Sequence, residues 1–249
     1  MASLSAASLA FVLANTARLA AALETSDADG IQTLVAGTIK VAVTSAAPKG
    51  PLDPQSWIRF YLERFADEQR LAIAWIVVPF DQSWLLASRE EADIVATNVA
   101  SFPDRARAGA TFTAPFLFER RALRIRPRDR DRFTHIDDFV GRRVGVVRGT
   151  AAQRDVRRRA PQGVAVVDTG TFAELYEQFE AGDLDAVAEA EYYALDGRAI
   201  PSHGPEVVLV DLHDLTPGQR EESVFVVRDQ STNLLTALNQ FIARTPFPL

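Results

Sequence analysis

The chain has 249 residues, 47% hydrophobic and 24% charged, which is a globular composition long enough to bury a sizeable core. A formal net charge of −6 argues against nucleic acid as the main partner. Cysteine is absent, so disulfides and Cys-ligated metals are excluded; the three histidines, His135, His203 and His213, lack metal-ligand spacing, and no metal or cofactor is expected.

The N-terminal stretch "MASLSAASLAFVLANTARLAAALE" has roughly the apolar length of a signal peptide, and "LAAA" looks like a small-residue cleavage site. No basic residue precedes the apolar part, and Arg18 interrupts it. A degenerate signal, a start codon placed too late and an amphipathic helix all stay open for residues 1–24. The run is too short and too interrupted to span a membrane.

"GTIKVAVTSA" then reads as a buried strand, followed by a loop with Pro48, Gly50, Pro51 and Pro54. "PQSWIRFYLERFADEQ" carries Trp57, Ile58, Tyr61, Leu62 and Phe65 at helical spacing, with Pro54 at the entrance. "LAIAWIVVPF" is a strand, "DQSWLLASREE" a short helix and "ADIVATNVA" another strand. Strand, helix, strand, helix, strand predicts an α/β layer with a parallel sheet. "RRALRIRPRDRDR" holds seven arginines, but Asp129 and Asp131 interleave them, which favours a solvated surface strand and turn over a nucleic-acid patch.

The α/β pattern then restarts. "HIDDFVGRRVGVVRGT" reads as a turn and a strand, "AAQRDVRRRA" as a helix and "GVAVVDTG" as a strand. "TFAELYEQFEAG" is a helix, "LDAVAEA" and "EESVFVVRD" are strands, and "STNLLTALNQFIAR" is a closing amphipathic helix. Two such layers without a low-complexity linker predict two lobes facing a cleft. Ligands of α/β sheets sit at the carboxyl ends of strands, here Thr44–Ala47, Thr97–Phe102, Arg148–Ala151 and Glu189–Glu191. At the third of these, the strand stops on Gly149 and Thr150 where a helix begins, and unpaired helix N–H groups there attract an anion. A phosphate loop is disfavoured, because no lysine follows a GxxxxG spacing.

In order and spacing these segments resemble the bacterial extracellular solute-binding proteins of family 3, the polar amino-acid type, from about Ile31 to Ile242. "IQTLVAGTIKVAV" looks like the family's opening helix and first strand. "ADIVATNVASFPDR" is similar to its Asp-apolar-apolar strand, with Arg105 twelve residues after Asp93. "FTAPF", "IDDFVGRRVGVVRGTA", "LYEQFEAGDLDAVAEA" and "FVVRDQSTNLLTALNQFI" resemble further motifs of the family, in its order.

The resemblance implies an α/β, type II periplasmic-binding-protein-like fold. Lobe 1 would hold residues 25–119 with 216–249, and lobe 2 residues 120–215. It implies a periplasmic or extracellular monomer, not an enzyme, that delivers a small amino acid or related carboxylate to an ABC permease. Arg105 corresponds to the arginine that grips the ligand carboxylate, which suits its planar fork. Gly149, Thr150 and Ala151 would offer N–H groups to the same carboxylate; a plain N-cap by Thr150 coexists with that. Thr44, Asn98 and Ala100, at strand ends, would face the ligand, and Trp84, which follows the family's tryptophan, would line either the cleft or the core.

Departures also stand out. The family carboxylate for the ligand's ammonium is replaced by Ala190, flanked by Glu189 and Glu191. Neither flanking side chain points where residue 190 points unless the strand ends early. Hydroxyls common in the family are replaced by Ala100 and Phe102, with Ser101 between them. An aromatic stacking segment after the first strand is missing, and "ARTPFPL" stops before a further helix that the family normally has. These departures leave open a sensory or degenerate binding module, as in the N-terminal half of membrane-bound lytic transglycosylases. They also leave open a ligand without an amino group, and an enzyme of the cyclohexadienyl dehydratase kind using Glu189 or Glu191 as its acid.

Overall fold

The computed structural model describes residues 30–46, 50–212, 221–231 and 233–248. The readings of residues 1–24, of the Pro48 loop turn, of His213 and of the 215/216 boundary fall outside them. Eleven strands form one continuous sheet whose path is β2-β1-β3-β11-β5-β8-β6-β7. The strands at both ends run parallel: β1 (Thr38–Val43) with β2 (Ala72–Val77) and β3 (Ile94–Ala100), and β6 (Arg143–Val147) with β7 (Ala165–Thr169) and β8 (Ala186–Tyr193). Antiparallel β11 (Glu221–Arg228) and β5 (Leu117–Ile125) join the two ends, and β4 (Ala110–Phe112), β9 (Ala199–Ile200) and β10 (Val208–Asp211) lie off the path. Two α/β layers are thus welded through shared crossing strands. The proposed boundary at 119/120 falls within β5.

Each helix follows from its sequence. In α1 (Pro54–Glu68), Asp53 caps by accepting from the Gln55 N–H, Pro54 fits the first turn, and Trp57, Ile58, Tyr61, Leu62 and Phe65 form the buried stripe. This stripe and α4 (Leu234–Arg244) cover one end of the sheet, where Tyr61, Phe65, Phe241 and Phe247 meet edge-on. In α3 (Phe172–Ala181), Thr171 caps the start and Gly182, at φ 88°, ends it. α2 (Ala151–Arg159) sends Ala152 and Val156 into the core of the second lobe, beside Leu123, Val144, Val146 and Ala188. A third core spans both lobes: Phe80, Trp84 and Val99 of one pack with Val147, Leu175, Phe179 and Val187 of the other.

Several expectations need correction. "DQSWLLASREE" forms only a 3-10 turn at Ser83–Leu85 followed by turns, and positive φ at Gln82 and Glu90 bounds the segment at both ends. The opening "IQTLVAG" is a turn with a Val35–Thr38 bridge, not a helix. β8 does not end at Ala190 but runs to Tyr193, held by β5 and β9. The arginine-rich stretch is a strand and turn, but not a uniformly solvated one. Arg121 is buried, and Arg126 lies over the Phe179 ring while donating to the Leu184 and Phe179 carbonyls. Among the described residues no helix is long and apolar enough to cross a membrane, and no group of acidic residues and histidine is arranged for a metal ion.

Candidate functional site

β3 ends at Ala100, and a single 3-10 turn, Pro103–Arg105, follows it. That turn tucks Arg105 inward to 1% exposure. Its Nη1 donates to the Ala100 carbonyl at 3.2 Å and its Nη2 to the Gly149 carbonyl at 2.6 Å, so one side chain ties the two lobes together. The guanidinium lies 4.7 Å from the centre of the Trp84 ring, 4.9 Å from Phe102 and 5.5 Å from Phe80. An aromatic cage of this kind attracts a cation through the ring faces. Burial, then the nearby Arg154 charge, pushes the Arg105 pKa down to about 10, so it stays charged at neutral pH. Among the described residues no carboxylate lies within ion-pair distance of it, and its buried Nε has no hydrogen-bond partner. A buried, unpaired cation is costly, and an anion placed beside it recovers that cost.

The opposite wall is the start of α2. Gly149 takes φ 77°, and Thr150 caps the helix by accepting from the Gln153 N–H at 3.0 Å while its hydroxyl donates to the Val147 carbonyl. Gly149 does not present its N–H as expected. That group donates to the Gln153 side chain at 2.9 Å, and the Gly149 carbonyl faces Arg105 instead. The reason is the left-handed φ, which turns the peptide round, and only glycine adopts it cheaply here. The Thr150 N–H also points back, to the Val147 carbonyl. Ala151, at the first helical position and buried, keeps an N–H with no partner inside the helix.

The remaining predicted residues divide. Trp84 packs into the shared core and under Arg105 at once, so cleft and core are the same place. Ala100 is joined to Arg105 by its carbonyl. Asn98, at φ 64°, donates to the Glu119 carboxylate at 2.5 Å. Thr44 is half-buried at the end of β1 and donates its N–H to Gln55. Because β8 runs on past Ala190, alternation holds: Ala190 opposes Arg121, whereas Glu189 opposes Ala122 and Glu191 opposes Arg120, on the other face. Neither glutamate is turned into the place of residue 190. Glu189 instead accepts from the Tyr176 hydroxyl at 2.6 Å, and burial pushes its pKa up to about 7. Ser101 donates to Glu222, and Asp93 is a structural acceptor for the Leu34 and Lys40 N–H groups.

A buried network escaped the sequence reading. Arg121 donates to both Glu119 and Glu221, and Glu119 also accepts from Asn98 and from the Ser223 hydroxyl at 2.6 Å. Burial alone would lower the Arg121 pKa, but the two glutamates raise it above its ordinary value. The available signal was "FERRA", where charges alternate inside an otherwise apolar strand.

No protein-family model matches this chain, and no curated protein does. Solved structures match over most of its length. One is an amino acid ABC transporter substrate-binding protein, AbpA from Streptococcus pneumoniae, bound to L-arginine: TM-score 0.66, 16% identity, covering 83% of this chain and 88% of that one. Another is the arginine-bound form of truncated ArgBP from T. maritima, at TM-score 0.65 and 18% identity, covering 83% and 95%. A third is an ancestral amino acid-binding protein described as a precursor of cyclohexadienyl dehydratase, at TM-score 0.66 and 18% identity, covering 83% and 88%. At these identities the likeness is one of architecture. The chain has the two-lobed fold of the amino-acid substrate-binding proteins of ABC transporters.

Proposed function

We propose that this chain is a solute-binding protein that closes its two lobes on a small amino acid or related carboxylate. The observation that carries the reading is Arg105: a buried guanidinium without a carboxylate partner among the described residues, caged by aromatic rings and facing the start of α2. A ligand carboxylate at this place would gain two charge-assisted hydrogen bonds and the field of the helix N-terminus. Delivery to an ABC permease in the periplasm is the role that the fold supports best, since the matched structures include a transporter's binding protein.

The test is a thermal-shift screen against amino acids and small organic acids, followed by calorimetry on hits. A ligand at 100 times its Kd adds about 2.7 kcal/mol of stability. Arg105→Ala is expected to weaken binding by about 100-fold, the worth of two hydrogen bonds to a charged group. A hit that binds Arg105→Ala as tightly as the parent would overturn the reading. A dehydratase-like reading draws on one observation, the buried acid Glu189 with its raised pKa. It requires turnover that disappears in Glu189→Gln.

A further inference from the structure

The Nε–Nη2 edge of a guanidinium is one on which a carboxylate makes two parallel bonds. In Arg105 that edge is half taken. Its Nη2 donates to the Gly149 carbonyl at 2.6 Å, while Nε is buried with no hydrogen-bond partner among the described residues. A backbone carbonyl of the facing lobe thus stands on the fork that the reading above gives to a ligand. A neutral carbonyl is a weaker partner for a guanidinium than a carboxylate is, but it is present in every molecule.

What holds that carbonyl in place is Gln153, one turn into α2. In a continuing helix the Gln153 N–H would bond the Gly149 carbonyl. Here it goes to the Thr150 hydroxyl oxygen at 3.0 Å, which leaves the carbonyl free for Arg105. The Gln153 side-chain oxygen then accepts from the Gly149 N–H at 2.9 Å. The amide is aimed from β7. Its Nε2 donates to Asp168 Oδ1 at 2.8 Å, and Arg157 holds Asp168 Oδ2 at 2.6 Å. Burial alone would raise the Asp168 pKa, but the bonds from Arg157 and Gln153 lower it below the ordinary carboxylate value. An ionised carboxylate only accepts, so Asp168 draws the NH2 end of the amide and turns its oxygen to Gly149. The brace Arg157–Asp168–Gln153 therefore ends on the N–H of a residue at φ 77°. Glycine takes positive and negative φ about equally, so which one it adopts depends on what holds it.

We propose that the Gly149 carbonyl is a built-in competitor for the ligand at Arg105, and that Gln153 is the positioning residue that keeps it there. This rests on the carboxylate-binding reading above. A carboxylate that takes the Nε–Nη2 edge has to displace the carbonyl, so the brace lowers the affinity of the site. The experiment is a 15N NMR titration of the full chain with sodium acetate, together with the solvent exchange rate of the Gly149 amide. Gln153→Ala keeps the backbone N–H for Thr150 and suits a helix. It should bind acetate about tenfold more tightly than the parent, the effect of one hydrogen bond to a charged group freed from competition, and its Gly149 amide should exchange at least about tenfold faster. Asp168→Asn lies outside the fork and lets the Gln153 amide turn over; it should act in the same direction by a smaller factor. Gln153→Glu keeps an acceptor for Gly149, and should keep the slow exchange and bind acetate no more tightly than the parent. A Gln153→Ala protein with the parent's acetate affinity overturns the proposal and leaves carboxylate capture intact, whatever its Gly149 amide does. Tighter binding with the Gly149 amide still slow also overturns it. No acetate-dependent shift at Ala151 or at the Arg105 side chain, in the parent or in Gln153→Ala, overturns both readings together.

Discussion

At the scale of single residues, burial decides what a charged side chain does. Glu189 is held against the Tyr176 hydroxyl, and its carboxyl rises from the ordinary 4.5 to about 7, with burial as the main cause. Between those two values the folded chain keeps a proton that the unfolded chain releases. Stability from this group is therefore complete in acid and declines as pH rises through the window, by about 3 kcal/mol at most. Glu189→Gln removes the titration and leaves an acceptor for Tyr176. It should be more stable than the parent by about 1–3 kcal/mol at pH 8 and nearly unchanged at pH 5, as read by urea melts at the two pH values. Parallel pH profiles for the two proteins would show that Glu189 does not carry the effect. Arg105 was singled out by the resemblance, whose motif sets an arginine twelve residues after Asp93; the structure adds its burial one 3-10 turn beyond β3. Arg121 was not, because an arginine among arginines reads as solvated, and only the sheet register reveals the glutamates on its face.

At the scale of elements, β6 and α2 were legible because their signals are local: an apolar alternation, then a glycine and a capping threonine. What was not legible is the direction of each peptide between them: the left-handed φ of Gly149 turns its N–H to the Gln153 side chain and its carbonyl to Arg105. Two substitutions separate these layers. Thr150→Ala removes an N-cap and should cost about 1 kcal/mol in a thermal melt without changing the shape of the molecule. Gly149→Ala places a Cβ where φ is 77° and where Asp81 Oδ1 would lie 2.7 Å away and the Asp81 Cα 3.2 Å away. The left-handed backbone alone should cost about 1 kcal/mol or more. Asp81 belongs to the facing lobe, so Gly149→Ala should also widen the cleft and raise the radius of gyration in small-angle scattering. An unchanged radius would mean that the Asp81 loop yields instead. Sequence reading also overextended "DQSWLLASREE" into a helix; positive φ at Gln82 and Glu90 cannot be read from periodicity.

At the scale of the whole molecule, the lobes meet through the protein's own groups. Arg154 on α2 pairs with Asp104 on the facing lobe through two bonds, 3.0 and 2.7 Å, and lies 4.8 Å from the centre of the Phe102 ring. Phe80 meets Phe172 edge-on across the same gap, and Arg105 reaches Gly149. A closed arrangement held this way sets the baseline against which a ligand acts, because a ligand shifts an equilibrium only by its differential contacts. The Asp104–Arg154 pair is exposed, and such pairs contribute about 0.2–1 kcal/mol. That is small against global stability but large against a lobe equilibrium, where about 1 kcal/mol is a fivefold change in the ratio of closed to open. Arg154→Ala should therefore leave the melting temperature within about 2 °C of the parent while raising the radius of gyration of the unliganded protein. The swap Asp104→Arg with Arg154→Asp should restore much of the closure, because the pair is re-formed with its charges exchanged. High salt should mimic Arg154→Ala in the parent and have less effect in the variant. If the radius is unchanged by Arg154→Ala and by salt, the apolar contact of Phe80 with Phe172 and the bond from Arg105 hold the lobes, and Phe172→Ala becomes the variant that opens them.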